Sequence, residues 1–221
     1  MASEWVTWQL IDSAFPSGGF AHSGGLESAL QWGMIRDHEA LVAYFKTNLT
    51  QLGHSSVPFV TASHREPARI TELDVLCDAF LSNHVANRAS RLQGQGFLMA
   101  TEAAFDLEIC TSLRACVRRN RFAGHLPPVF GAVAAALDIP LPLVVRQFLY
   151  LGLRDLTSSA VRLNVLGPLQ GQSTQFKMKP FLEQLAQQSV ALDIENVAQT
   201  APVSDLLQQT HDRLYSRLFQ S

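Results

Sequence analysis

A chain of 221 residues with 17 Lys and Arg against 19 Asp and Glu carries a formal net charge of −2. That balance argues against a general nucleic-acid or membrane-surface binder, since either class shows basic excess. With 47% apolar residues, the chain is long and apolar enough to bury a substantial core.

Three cysteines, Cys77, Cys110 and Cys116, stand at no metal-ligand spacing and read as reduced thiols. The first residues lack the basic flank of a secretory signal, and no apolar run approaches the ~18 residues of a membrane span. The expectation is a cytoplasmic protein that engages neither membrane nor nucleic acid.

In chain order, the first notable stretch is "SAFPSGGFAHSGGLE", residues 13–27. Pro16, Gly18 and Gly19 read as a shaped turn. Ser23 is the expected cap of a helix that starts beyond Gly24 and Gly25, with Glu27 favoured in its first turn by the helix dipole. Next, Leu41, Tyr44, Phe45, Asn48, Leu49 and Leu52 recur at helical spacing, with Asp37 as N-cap and Gly53 as the stop. Thr71 with Asp74 reads as a capping arrangement for a helix whose stripe is Leu73, Leu76, Cys77, Phe80 and Leu81.

A third helix is expected to start near Pro128 and run through Val129, Phe130, Val133 and Leu137. The longest stripe runs from Leu141 through Val145, Phe148, Leu149, Gly152, Leu156 and Ala160 to Leu163. Residues 167–180, with two Gly and two Pro, read as a polar and mobile connection. A final helix carries Leu206, Leu207, Leu214 and Leu218. Alternating β-branched runs are nearly absent. The fold class is therefore all-α: a single-domain helical bundle over residues 1–221, with a C-terminal helical extension.

The glycine-rich stretch invites three chemical readings. A phosphate loop needs a Lys after its last glycine, and none is present; a dinucleotide fingerprint needs a preceding strand. Ser23 beside His22 suggests a small serine hydrolase, but "AHSGG" is not a nucleophile elbow and no histidine pairs with a carboxylate in a recognisable motif. No H-E-x-x-H or C-x-x-C exists, so no metal site and no cofactor of its own are expected. A shaped interaction surface, on a generic helical adaptor or something more specialised, is what the residues leave open.

"RACVRRNR", residues 114–121, reads as a solvated helix face or a patch for an acidic partner rather than as an RNA contact, because it lacks interleaved aromatics. Arg154, Asp155 and Arg162 read as ion-pairing groups on the long helix.

Five blocks resemble one family. "WQLIDSAFPSGGFAHSGGLESALQWG" is similar to the N-terminal signature of the urease accessory UreF family, where a Pro-x-Gly-Gly-Phe turn leads into a Ser-x-Gly-Leu-Glu helix start. "NRASRLQGQGFL", "HLPPVFGAVAAALDIP", "LRDLTSSAVRLNVLGPLQG" and "HDRLYSRLFQS" resemble its later blocks, in the same order and over nearly the whole chain. Ser17, Ala21 and His22 depart from the bacterial pattern Pro-Val-Gly-Gly-Phe-Ser-Tyr-Ser and resemble the eukaryotic branch.

The resemblance implies a non-catalytic, homodimeric maturation factor. Such a protein binds UreD/UreH, recruits the GTPase UreG with a regulatory effect on it, and helps deliver nickel to apo-urease. It also turns attention to residues expected to meet a partner: Phe20 and His22 in the first block, Arg88 and Arg91 in the second, and Arg213, Tyr215, Arg217 and Phe219 in the last.

Overall fold

The computed structural model describes residues 4–220, apart from the side chain of Phe20. Among these residues there are helices and no strand. Helix α1 (Glu4–Ile11) is followed by a 3-10 turn at Gly19–Ala21 and the short α2 (Leu26–Gln31). Helix α3 (His38–Ser55) starts where expected: the Asp37 side chain accepts the Ala40 N–H at 2.8 Å. Gly53 does not stop it. The helix continues to Ser55, and Gly53 lies against Leu185 and Ser189 of a later helix.

Helix α4 (Val57–Arg65) buries seven successive residues, and α8 (Leu126–Ala136) buries eight, Pro127 to Ala134. Helices buried on nearly every side belong in an interior, and this pair makes the most extensive helix contact among the described residues. Their apolar residues do not form a stripe, which is why periodicity misses α4 altogether. Helix α8 opens two residues before Pro128, with prolines filling its first turn, where no N–H is needed.

Helix α5 (Ile70–Phe80) follows a 3-10 turn at Pro67–Arg69 and has no side-chain cap. The expected Thr71–Asp74 capping arrangement is absent because Asp74 points inward and holds another segment. Helix α6 (His84–Phe105) is capped by Asn83, whose Oδ1 accepts from Val85 and Ala86. It runs antiparallel to α7 (Glu108–Arg118), with Asp106 turning the chain in a left-handed conformation.

Helix α9 (Leu141–Arg162) buries the predicted stripe. Phe15, Phe97, Phe130 and Phe148 form an aromatic chain with successive centroids 5.8, 5.2 and 5.3 Å apart, tying the glycine-rich segment to α6, α8 and α9. Cys77 is core, as its place on the stripe predicts.

Two expectations fail in the C-terminal quarter. Residues 167–180 are not a connection: they are the first half of α10 (Pro168–Ser189), a 22-residue helix packed on α9. Pro168 starts the helix and Pro180 sits inside it. The prolines and polar residues that suggested a linker lie on a helix with only a narrow buried face: Gly171, Thr174, Met178, Leu185, Ala186 and Ser189. The final helix is also shorter than expected. Helix α11 (Pro202–Gln209) passes into a 3-10 turn at Thr210–Arg213, and residues 214–220 form an irregular tail. Leu214 and Leu218 therefore share no helical face with Leu206.

Candidate functional site: the junction of the first turn and the last tail

The glycine-rich segment and the tail, nearly 200 residues apart in sequence, are one structure. Gly25, not Ser23, occupies the cap position of α2. Its φ of 83° lies in the left-handed region, and a Cβ there would stand 3.0 Å from the Tyr44 hydroxyl. That hydroxyl donates to Gly24 O at 2.9 Å, and burial pushes its pKa well up. At Gly19 a Cβ would overlap the Asp155 carboxyl, so the 3-10 turn can lie directly on α9 only with glycine there. Pro16 and Gly18 take their predicted places in the turn, with Gly18 at φ 76°.

Glu27 does more than sit near a helix dipole. Its side chain is buried, 3% exposed, and its oxygens accept the N–H groups of Leu218 at 2.7 Å and Phe219 at 3.2 Å. Gln220 N donates to Ala21 O at 2.9 Å, and the Gln31 amide donates to Ser216 O at 2.9 Å. The tail is thus pinned to the turn through backbone groups at several points.

His211, fully buried, donates from Nε2 to Phe219 O at 3.2 Å and turns Nδ1 toward Glu27 at 3.9 Å. Phe219 is buried beneath the Arg162 guanidinium, 4.2 Å from its ring centroid. Phe219 was expected to face a partner. It faces its own chain instead, because Glu27 captures its backbone and Arg162 covers its ring.

His22 is also buried, so it too is turned away from a partner. Burial, then the neighbouring Arg88 guanidinium and the His211 ring, push its pKa down to about 4. It is a neutral imidazole at pH 7. His22, Ser23, Asp155 and Gln208 border a cavity of about 200 Å³ beneath the turn. Burial holds the Asp155 carboxyl above its ordinary range, against the pull of Arg154, which bonds it at 2.9 Å.

Outside this buried layer, Asp212 gathers charge. Arg88 makes a two-pronged contact at 2.9 and 3.1 Å, and His84 and Arg217 each approach to 3.2 Å. The Arg88 contact, followed by His84, holds the Asp212 carboxyl below its usual range. Arg88 and Arg217, expected at a partner surface, are therefore committed in part to tying α6 to the tail. Arg91 and Arg213 are exposed, and Tyr215 is 103% exposed, the freest large side chain in the tail. The Phe20 side chain lies outside the described residues.

A second buried polar group was not foreseen. Asp74 accepts three consecutive N–H groups, from Ala123, Gly124 and His125, at 2.7, 3.3 and 2.8 Å. His125, fully enclosed, bonds Ser90 at 3.1 Å and Asp78 at 3.0 Å. This Asp–His–Ser chain has the members of a catalytic triad. However, Ser90 Oγ accepts the Leu126 N–H at 3.3 Å and so braces the start of α8. Ser23, 1% exposed, is closed to an external substrate. The serine-hydrolase alternative gains nothing from either serine.

Among the described residues no group of three His, Cys, Asp or Glu side chains could hold a metal, and no helix is long and apolar enough to cross a membrane.

His211 and Asp212 open the closing sequence block, so their importance was signalled in sequence without a role attached. Asp74 carried no distinguishing local signal.

Comparison with known proteins gives a consistent result. The UreF family model matches residues 35–179. The chain is 34% identical to urease accessory protein F of Oryza sativa subsp. indica, over 98% of this chain and 85% of that protein. It is 32% identical to urease accessory protein F of Arabidopsis thaliana, over 99% and 92%. It is 29% identical to urease accessory protein UreF of Arthrobacter sp. (strain FB24), over 96% and 95%.

Proposed function

The chain belongs to the UreF family, and from that premise we propose that it is a non-catalytic urease maturation factor. In this reading it is a homodimeric scaffold that joins a UreD/UreH-type protein to the GTPase UreG while nickel is delivered to apo-urease. It handles no cofactor of its own and works in the cytoplasm.

The observation that carries the reading is the union of the first and last family blocks at one face. Buried Glu27, His211 and Phe219 hold the tail in a set shape. Around that clasp the exposed apolar side chains Trp32, Met34, Leu206, Tyr215 and Leu218 face outward. Trp32 is held in place by donating from Nε1 to Thr210 Oγ1 at 3.1 Å. Large aromatic side chains presented on a fixed backbone are the usual anchors of protein interfaces, and a patch of this kind on a soluble surface marks a contact site. A scaffold needs such a face; an enzyme would need an open polar cleft with a reachable nucleophile or base, and Ser23 is closed off.

The test is co-purification. The wild-type chain is expected to retain UreD/UreH and UreG, whereas Tyr215→Ala with Trp32→Ala loses at least one of them while keeping its helical circular dichroism. Cells lacking the gene are expected to accumulate urease protein that is poor in nickel. Normal nickel content in that urease would overturn the reading.

A further inference from the structure

The arginine run at residues 114–121 is left unused by the tail junction, and the fold puts it in a specific setting. Helices α6 and α7 are antiparallel, and between them lies an open groove of about 360 Å³. Leu92 and Met99 form its walls, 49% and 52% exposed, and buried Leu98 its floor. Val117 and Arg118 line it from the C-terminal half of α7. There the chain turns sharply: Arg121 N bonds back to Cys116 O at 3.0 Å, with Asn120 at φ 53°. Arg118 lines the groove, and exposed Arg119 and Arg121 follow it through that turn. Arg91 rises beside Leu92 on α6.

Arg114 is paired with Glu102. Arg91, Arg118, Arg119 and Arg121 have no ion-pair partner among the described residues. Arg91 acts on the Asp78 carboxyl from a distance, which leaves the guanidinium groups of Arg118, Arg119 and Arg121 uncompensated, unexpected in a chain of formal charge −2.

We propose that the α6–α7 groove is a docking site for an acidic amphipathic helix of a partner protein. Leu92 and Met99 are seven residues apart, two helical turns or roughly 10 Å, which matches apolar anchors at i and i+7 on an incoming helix. Methionine adapts its shape to such anchors. Carboxylates on the flanks of that helix meet Arg91, Arg118 and Arg121 through charge-assisted, geometrically matched contacts.

The same charge argues against a second copy of this chain, because a symmetric contact would set arginines against arginines. It argues against single-stranded nucleic acid as well, because no aromatic side chain lines the groove to stack on a base. The groove shares no lining residue with the patch of Tyr215 and Trp32, so the proposal stands whether or not the scaffold reading does.

The test uses the full chain and a fluorescein-labelled synthetic peptide of about 18 residues, long enough to be helical. Leu occupies helical i, i+3/i+4 and i+7 positions, with Glu elsewhere on the flanks. A control peptide replaces every Glu with Lys. Fluorescence anisotropy is expected to show saturable binding of the Glu peptide only. That binding should weaken ~10-fold or more with Arg118→Glu and Arg121→Glu, and also as salt rises, as for rim charges steering an acidic partner. Leu92→Ser is expected to weaken it without changing the salt dependence.

All three positions are on the surface, and thermal melts matching wild type separate lost binding from lost fold. Equal binding of both peptides, or of neither, overturns the proposal. So does tighter, arginine-dependent binding of a poly-dT oligonucleotide or of phosphatidylserine vesicles, and so does self-association that Arg118→Glu abolishes.

Discussion

Two buried carboxyl groups, Asp74 and Glu27, do the same kind of work with different consequences. Both accept backbone N–H groups from a distant segment, and both are nearly inaccessible, 1% and 3% exposed. Asp74 holds residues 123–125, the lead-in to α8, which lies in the middle of the core. Glu27 holds residues 218 and 219, the outer tail. The first carboxyl fixes a central helix that nearly every layer packs against. The second fixes a peripheral strap whose removal exposes little apolar core beyond Phe219. Identical hydrogen-bond chemistry is therefore structural at one site and positions a surface at the other.

The comparison breaks most visibly at Asp74. An Asp74→Asn variant keeps one acceptor oxygen but turns an NH2 group toward backbone donors. Leaving such buried groups unpaired costs about 1–3 kcal/mol for each donor. Urea denaturation is expected to show that loss as a lower midpoint for the whole molecule. A loss of about 1 kcal/mol or less would place Asp74 with the peripheral group.

Acid is the next largest lever, and it acts on the tail side. His22 titrates near 6.5 when exposed in the unfolded chain and near 4 in the fold. As pH falls through 6.5 the unfolded chain takes up a proton that the folded chain refuses, so stability declines from pH 6.5 until about pH 4, where the folded imidazole also charges. The full shift corresponds to roughly 3 kcal/mol. His22→Gln is expected to flatten this segment of the stability–pH curve. An unchanged slope in the variant would show that another group carries the acid sensitivity.

Glu27→Gln gives the smallest global effect, about 1 kcal/mol. Its local effect is sharper. Amide exchange at residues 214–220 is expected to accelerate strongly while α4 and α8 stay protected. Equal acceleration in α8 would erase the distinction between the two carboxyls.

How much of this was readable beforehand varies along the chain for physical reasons. Helices α3 and α9 each bury one face, and a single face leaves the 3.6-residue stripe that Leu41, Phe45 and Leu49 or Val145, Leu149 and Leu156 display. Helix α4 is buried all round and α10 is mostly solvated, so neither shows a stripe; α10 also carries the prolines that suggest a break. The glycine turn was legible as a turn, because φ angles such as that of Gly25 suit few other residues. The arginine run was legible as charge. The partner-facing reading of Phe219 failed because exposure depends on what covers a residue, and Arg162 and Glu27 lie far away in sequence.

The amino-acid sequence by itself determined that the chain is helical, where its one-faced helices run, and which family its five blocks belong to. All of these follow from local propensity, spacing and order along the chain. Only the tertiary structure decided that Glu27 and Asp74 are anchors, that His22 is neutral, and that Leu92, Met99 and Arg118 share one groove. A buried carboxyl, a shifted pKa and a groove each depend on groups brought together from distant parts of the chain, and no spacing along the sequence encodes that proximity.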